Sequence, residues 1–300
     1  MKIVVLGAAA GGGFPQWNSN APGCNRARRG DPAAKARSQA GIAVSADGKS
    51  WFLLNASPDL RQQIEGTPAL HPRKGLRHSP IAGVVLTGGD VDVVAGLLTM
   101  RERQPFTLHA TRRIHRVLDA NPIFEVLARD VVARAEQSLD APFALDDALT
   151  ATFFSVPGKV PLYLESGAEP PGIVVDDTTV GLEVTDGRRR MIFIPGCATM
   201  TEPLRQRLAG ADVVFFDGTL WRDDEMVVAG LGKKTGRRMG HMSLGDPGGT
   251  IDVFRSIAVG RKVIIHMNNS NPVLMADSPE RAQAEAAGWI VADDGMVIET

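Results

Sequence analysis

Short apolar runs rich in β-branched residues recur along the chain, and each has the length and composition of a buried strand. These runs lie at 2–7, 84–86, 107–110, 150–157, 213–219, 262–267 and 288–291. Two further pairs of runs flank an Asp-Gly turn and predict β-hairpins, at 41–45 with 50–55 and at 180–185 with 190–195. Helical patterns are present at 114–118, 123–135 and 278–287.

The order of these elements predicts an α/β fold in which two sheets pack face to face with helices outside, a four-layer αββα sandwich. Hairpins are followed by alternating strands and helices, and the second half of the chain echoes the first. In such a sandwich, strand ends from both halves can meet along one edge. We therefore expect Asp92, Asp217 and His266, which lie at the ends of apolar strands, to converge there.

Length and composition narrow the class of protein. The 300 residues are long enough for one large sandwich, so we predict a single domain over 1–300. The net charge of -1 gives no electrostatic basis for binding nucleic acid or an anionic membrane. No apolar run reaches the roughly 18 to 20 residues that span a bilayer, which predicts no membrane insertion. Two cysteines are too few for a disulfide framework, and the chain opens without a signal-peptide pattern, so we expect a cytoplasmic protein.

The stretch 84–98 contains the strongest local signal for a functional site. An apolar strand ends at Gly88-Gly89, two carboxylates follow at Asp90 and Asp92, and an apolar, helix-like segment continues. A strand that ends in a glycine-rich turn before a helix is where α/β folds place ligand chemistry. Carboxylates two residues apart in an extended segment share one side, so the pair can hold a single cation.

Polar residues at the ends of apolar strands are notable because burying an unpaired charge is costly. Such residues are Asp90, Asp92, Asp217, His241 and His266. Carboxylate and imidazole together form the ligand set of iron(II), manganese and zinc, and two histidines with one carboxylate leave positions open for oxygen and substrate. Taken singly, each aspartate also fits a helix cap and each histidine a packing residue.

A loop rich in proline and basic residues, 71–80, precedes the strand that carries the two aspartates, and it contains Arg77 and His78. Lying over a strand-end site, this loop would form a lid or contact the substrate. A solvated connector is the alternative reading.

The stretch from Thr87 to Leu97 resembles the signature of the metallo-β-lactamase fold, Thr-His-x-His-x-Asp-His-x-x-Gly-Leu. Asp92 matches the aspartate of that signature, while Gly88, Asp90 and Val93 stand where its histidines would be. The wider chain resembles the PqqB family of pyrroloquinoline quinone (PQQ) biosynthesis proteins, a divergent branch of this fold. The stretches that carry this resemblance are 11–18, 54–63, 76–81, 154–162, 194–197, 216–219, 238–241 and 266–274.

The resemblance implies a metallo-β-lactamase-like sandwich and iron(II)-dependent oxygenation of a cross-linked Glu-Tyr intermediate. It assigns metal binding to Asp90, Asp92 and His266, with His241 as a fourth ligand or proton shuttle and Asp217 in a catalytic role. For the substrate we expect contacts in the cavity or its surrounding loops. The candidates are Arg77, His78, Lys159 and Asn269.

Two departures from the family pattern affect the expected metals. Val93 replaces a histidine, so the metal site has one ligand fewer. Family members often carry a Cys-x-Cys-x-x-Cys cluster that suits a structural zinc. Here these positions are Ser19, Ala21 and Cys24, and we predict that this zinc is absent.

Three functions follow as hypotheses. The first is an iron(II)-dependent oxygenase that hydroxylates the tyrosine ring of the Glu-Tyr intermediate. The second is a non-catalytic carrier that takes part in moving PQQ or its precursor to the periplasm, which the loss at Val93 favours. The third is a metal-dependent hydrolase, against which the replaced histidines argue. The expected partners are the Glu-Tyr precursor or PQQ, with a homodimer left open.

Overall fold

The computed structural model describes residues 1–164 and 172–300. Its strands form two mixed sheets, each with seven strands among the described residues. The strands are β1 (Lys2–Gly7), β2 (Gly41–Ser45), β3 (Trp51–Leu54), β4 (Ile81–Val85), β5 (Phe106–Thr111), β6 (Val132–Gln137), β7 (Pro142–Ala144), β8 (Thr150–Ser155), β9 (Val180–Thr185), β10 (Arg190–Ile194), β11 (Val213–Asp217), β12 (Arg261–Ile265), β13 (Trp289–Val291) and β14 (Val297–Glu299).

The two sheets share one construction. The first has the order β14-β1-β2-β3-β4-β5-β6 and the second the order β13-β12-β11-β10-β9-β8-β7. In each sheet, four neighbouring strands run parallel and the others pair antiparallel, so β4 and β5 correspond to β11 and β12. Because parallel strands end at the same edge of their sheet, the turns after these strands lie at equivalent places in the two halves.

Short helices connect the strands. They are α1 (Pro22–Arg28), α2 (Leu60–Glu65), α3 (Val91–Val94), α4 (Arg112–Asp119), α5 (Glu202–Leu208), α6 (Glu225–Val228), α7 (Gly236–Met239), α8 (Thr250–Val253) and α9 (Pro279–Ala286). Helices α2 and α4 contact strands of the first sheet, and α9 contacts β13 of the second. No helix in the ranges 1–164 and 172–300 is long and apolar enough to cross a membrane.

The core explains why the central strands are almost entirely apolar. All residues of β2, β3 and β11 are buried, so these strands are covered on both faces. Buried side chains from both sheets belong to one hydrophobic cluster. A strand covered on both faces needs a second sheet on one side and helices or loops on the other, which is the arrangement of an αββα sandwich.

Most predicted elements are confirmed, including both hairpins, but one helix is wrong. The pattern at 123–135 predicted a helix, whereas the chain forms a 3₁₀ turn at Pro122–Val126 and then strand β6. Strand β6 pairs in parallel with β5 at the edge of the sheet, and this long-range pairing outweighs the local periodicity. The short strands β7 and β14 lacked a sequence signal because three residues are too few to show alternation.

Candidate metal centre

The turns at the ends of β4, β11 and β12 bring four ionisable side chains together at one edge of the sandwich. Asp92 lies in the first turn of α3, Asp217 is the last residue of β11, and His266 directly follows β12. His241 comes from the loop after α7. The convergence expected for Asp92, Asp217 and His266 is thus present in the structure.

Asp92 and His266 form a direct pair across the cavity wall. Asp92 Oδ2 lies 2.9 Å from His266 Nε2, although the two residues are 174 positions apart. Burial is the largest influence on each group and opposes its charge, but the hydrogen bond and the neighbouring charges together outweigh it and hold the pKa of Asp92 below its usual range. The same hydrogen bond, with the neighbouring carboxylates, raises the pKa of His266. Both shifts favour the charged forms of the pair.

Asp217 and His241 form a second pair beside the first. His241 Nδ1 lies 2.7 Å from Asp217 Oδ2, and the amide of Cys197 donates to the same oxygen at 2.9 Å. Asp217 is fully buried, which would raise its pKa, but the two histidines and local hydrogen bonds lower it overall. The rings of His241 and His266 are stacked with centroids 5.3 Å apart.

Thr219 is a residue of this centre that the sequence analysis did not single out. Its hydroxyl lies 2.6 Å from Asp217 Oδ1, 3.0 Å from His241 Nδ1 and 2.9 Å from His266 Nδ1. The signal available in the sequence was its place two residues after the strand-end carboxylate in Phe-Asp-Gly-Thr. A hydroxyl there is close enough to share hydrogen bonds with Asp217.

The backbone at the site adopts left-handed conformations that residues other than glycine rarely take. His266 has φ 59° and Asn55, which also lines the cavity, has φ 66°. The conformation at His266 is held by its neighbour, because Met267 donates its amide to Ala8 and accepts from the amide of Ala10. Such over-determined strain clusters at functional sites, where it aims a side chain that an extended strand would point elsewhere.

Asp92, His241 and His266 face a cavity of about 690 Å³, a size that suits a small organic molecule. Its wall includes Asp90, Asp92, His241, His266 and Val93. Burial, followed by the charge of Asp92, raises the pKa of Asp90. Val93 presents a hydrocarbon side chain to the cavity, so it offers no ligand atom at the place where the family pattern has histidine.

The predicted substrate residues are divided between the cavity and the surface. Lys159 lines the cavity. Asn269 donates to the Gln16 side chain, and Gln16 in turn lines the cavity. Arg77 is exposed and pairs with Glu102 at 3.6 Å, and His78 accepts from the amide of Arg73, so both belong to a loop outside the cavity lining. Their contact with substrate stays a prediction.

Cys24 stands where the family pattern has the last cysteine of its cluster. It is buried on α1, and its thiol lies 3.6 Å from Asn269 Oδ1. Ser19 and Ala21 carry no soft ligand, so the donor set at this position does not fit a thiolate-bound zinc.

The donor set at the strand ends, in contrast, fits a divalent cation. Asp217, His241 and His266 each offer a ligand atom, and these atoms lie within 4.8 Å of one another. Asp92 adds a further carboxylate oxygen beside His266. Two imidazoles and two carboxylates are suited to zinc and to iron(II) alike, so the geometry alone does not select the metal.

Comparison with known proteins agrees with the fold. The family model described as "Beta-lactamase superfamily domain" matches residues 50–267. Coenzyme PQQ synthesis protein B of Gluconacetobacter diazotrophicus is 66% identical, and its counterpart from Methylorubrum populi is 54% identical, each over 100% of both chains. The crystal structure of Zn²⁺-bound PqqB from Methylobacterium extorquens has 52% identity and a TM-score of 0.98, covering 100% of both chains.

A more distant structure shows how far the fold extends. A diphosphatase of the PhnP family shares 18% identity with a TM-score of 0.71, covering 100% of this chain and 96% of that one, which shows the fold alone. The two facing sheets are those of the metallo-β-lactamase fold, as predicted. Within that fold, the chain belongs to the coenzyme PQQ synthesis protein B family.

Proposed function

We propose that this protein acts in PQQ biosynthesis as a metal-dependent oxygenase that hydroxylates the phenol ring of the Glu-Tyr intermediate. The observation that carries this proposal is the convergence of Asp92, His241 and His266 in the wall of a cavity large enough for a small aromatic substrate, with Asp217 buried directly behind His241. Membership of the PqqB family supports the pathway, and the buried free cysteines suit the cytoplasm that we propose as its location.

The metal would be held by His266 and Asp92, with Asp90 and His241 as further candidates on the same wall, while Asp217 holds His241 from its Nδ1 side. Iron(II), when bound at such a mixed imidazole and carboxylate site, supplies the redox chemistry needed to use dioxygen. The zinc in the PqqB structure from Methylobacterium extorquens belongs to that protein, and zinc has no such redox chemistry.

The residues of this chain would bind and orient the substrate. Lys159 is a cation on the cavity wall and suits a substrate carboxylate. Asp217 fixes His241 through Nδ1, which leaves His241 Nε2 as the atom able to take a proton from a phenol in the cavity. Val93 and the glycines of the lining leave room for a ring and keep that part of the wall apolar.

The test is anaerobic reconstitution of the full chain with iron(II), with zinc or with no metal, followed by oxygen uptake and mass analysis of the Glu-Tyr substrate. We expect uptake and a gain of one oxygen atom with iron(II) only. His266→Ala should abolish both, while Lys49→Ala, a change in the exposed turn between β2 and β3 and outside the cavity lining, is the matched control. Iron(II)-loaded protein that consumes no oxygen with substrate would overturn the oxygenase proposal.

One observation favours a second candidate, a non-catalytic carrier of PQQ or its precursor. Val93 places a hydrocarbon side chain in the cavity wall, which weakens metal binding but not the enclosure of a planar ligand. For a carrier we expect PQQ to bind the metal-free protein tightly and stoichiometrically in equilibrium titration. Binding that requires the metal would contradict the carrier.

A further inference from the structure

The hydroxyl of Thr219 lies on the Nδ1 side of the His241 and His266 rings. Besides the three side chains already described, its oxygen lies 3.1 Å from the carbonyl oxygen of His266. Thr219 is itself buried, so these contacts are shielded from competing water. A hydroxyl has one proton to donate and two lone pairs to accept with, and this limit decides how its neighbours must be protonated.

The proton of the Thr219 hydroxyl belongs to Asp217. At 2.6 Å, Asp217 Oδ1 is its shortest contact, and an ionised carboxylate is a stronger acceptor than a carbonyl. The amide of Thr219 donates to the same oxygen at 3.0 Å, which anchors the turn. With its proton committed, the hydroxyl can only accept from the two histidines.

The two histidines depend on this hydroxyl to different degrees. His241 Nδ1 is 3.0 Å from Thr219 Oγ1 but closer, at 2.7 Å, to the carboxylate of Asp217. For His266 Nδ1, the contact at 2.9 Å with Thr219 is the one hydrogen bond found within the described residues. Asp217 therefore secures His241 by itself, whereas His266 relies on Thr219.

We propose that Thr219 is a positioning residue that holds the proton of His266 on Nδ1 and thereby presents Nε2 to the metal. Hydrogen bonds from the far nitrogen of a ligating histidine generally fix its tautomer and ring orientation. Here the acceptor is a threonine hydroxyl polarised by a buried aspartate. The same oxygen also lies against the backbone of His266, which has the left-handed conformation, so ring and backbone are held at one point.

The test compares Thr219→Val, which keeps the shape and removes the hydroxyl, with Thr219→Ser, which keeps the hydroxyl. Each full-length protein is loaded with zinc, which is diamagnetic, and the histidine nitrogens are observed by long-range ¹H–¹⁵N NMR. We expect a slowly exchanging Nδ1–H on His266 in the wild type and in Thr219→Ser, and its loss in Thr219→Val. The Nδ1–H of His241 should persist in all three and serves as the internal control.

Zinc affinity provides a second measurement. We expect Thr219→Val to bind zinc on the order of 10–100-fold more weakly and Thr219→Ser to bind it like the wild type. This inference rests on the metal site of the proposed function, but neither measurement requires oxygenase activity, so the two can fail separately.

Four results would overturn the proposal. The first is a Thr219→Val protein with wild-type zinc affinity and an unchanged His266 signal. The second is an equal loss of both histidine Nδ1–H signals. The other two need no variant and so do not depend on how Thr219→Val folds. They are zinc-loaded wild type in which His266 Nδ1 carries no proton, and wild type that binds no zinc.

Discussion

Asp217 is a carboxylate with no exposed surface, and a buried charge of this kind is stable only when its oxygens are satisfied. Its oxygens accept from the amides of Cys197 and Thr219 and lie beside His241. The surroundings of Asp217 therefore favour the ionised form, which is the form that binds a cation. At the scale of single residues, the site is a set of aspartate and histidine side chains whose opposite charges compensate one another. A bound metal ion would change these pairings.

Val93 is the residue whose replacement most directly tests the metal site. A histidine in its place would add an imidazole to a wall that already holds His266 and Asp92. We expect Val93→His to tighten binding of iron(II) or zinc by about tenfold or more, the scale on which changes around metal ligands act. Equilibrium metal titration of the purified variant measures this.

The matched control is Val91→His, two positions earlier on α3, where the native side chain is 59% exposed. This variant introduces the same chemistry on the solvent side and should leave metal affinity unchanged. Equal effects of both variants would mean that position 93 does not reach the metal.

Cys24 tests the prediction that no structural zinc is bound beside α1. Cys24→Ser retains the size of the side chain, and we expect the metal content per chain to stay the same. His266→Ala should lose metal in the same assay, because it removes a ligand of the candidate centre. Metal analysis after dialysis against a weak chelator gives the answer, and a loss of one zinc in Cys24→Ser would show that the prediction is wrong.

At the scale of elements, the glycines before and after α3 have different tasks. A Cβ on Gly96, after α3, would lie 2.0 Å from the carbonyl oxygen of Ser57 and 2.8 Å from that of Ala56. The amide of Gly96 donates to that same Ala56 carbonyl, so the close approach docks the segment after α3 onto the segment that precedes α2. A Cβ on Gly88, in the turn before α3, would have no contact closer than 3.9 Å.

Gly96→Ala should therefore destabilise the protein strongly, since its Cβ can be accommodated only by moving backbone. We expect a loss of about 3 kcal/mol or more in the free energy of unfolding, within the range of severe packing defects. Gly88→Ala should change it by less than about 1 kcal/mol, as for an uncrowded site. Chemical denaturation of both variants measures the difference, and comparable losses would contradict the role given to Gly96.

At the scale of the whole molecule, Arg37 ties the first half of the chain to its C-terminal region. Its guanidinium is buried, donates to the carbonyl oxygens of Ala292 and Leu274 and pairs with Asp293 at 2.5 Å. Burial is the main influence on Arg37 and lowers its pKa. A buried cation with several hydrogen bonds holds two distant segments in one register, which neither segment could do alone.

Arg37→Met should lower the free energy of unfolding by about 2–4 kcal/mol, because the lost bonds involve a charged donor and leave buried carbonyls unpaired. Lys35 is the matched control, since it pairs with the same Asp293 at 3.7 Å but its side chain is 68% exposed. We expect Lys35→Met to cost less than about 1 kcal/mol, as surface pairs do. Denaturant unfolding of both variants tests this, and similar losses would refute it.

A buried histidine in the first sheet predicts how stability depends on pH. His109 in β5 stacks on Phe143 of β7, which belongs to the other sheet. Burial, with a smaller effect of the nearby His115, lowers the pKa of His109 to about 4. The unfolded chain takes up this proton near pH 6.5 and the folded protein only near pH 4.

Stability should therefore fall as the pH drops from about 6.5 to 4, by roughly 3 kcal/mol for this group. His109→Phe keeps an aromatic ring against Phe143 and removes the titration, so the variant should lose less stability over that interval. Unfolding free energies measured across the pH range compare the two proteins. An identical pH slope would show that His109 is not the group responsible.

The sequence by itself determined the elements and the residues at their ends. Apolar runs and Asp-Gly turns act over five to ten residues, so the strands and both hairpins could be read locally. The helix expected at 123–135 was wrong because β6 is stabilised by pairing with β5, and a local pattern does not record a distant partner. The strand-end positions of Asp92, Asp217 and His266 were visible in the sequence for the same local reason.

Only the tertiary structure decided which of these side chains touch. Asp92 and His266 meet at 2.9 Å because β4 and β12 belong to facing sheets whose parallel strands end at one edge. The sequence showed Thr219 only as a neighbour of a strand-end carboxylate, since a threonine after a strand gains its role from the two histidines around it. Hydrophobic patterning is a local property of the chain, whereas a binding site is a property of distances between segments, and those exist only after the sheets have packed.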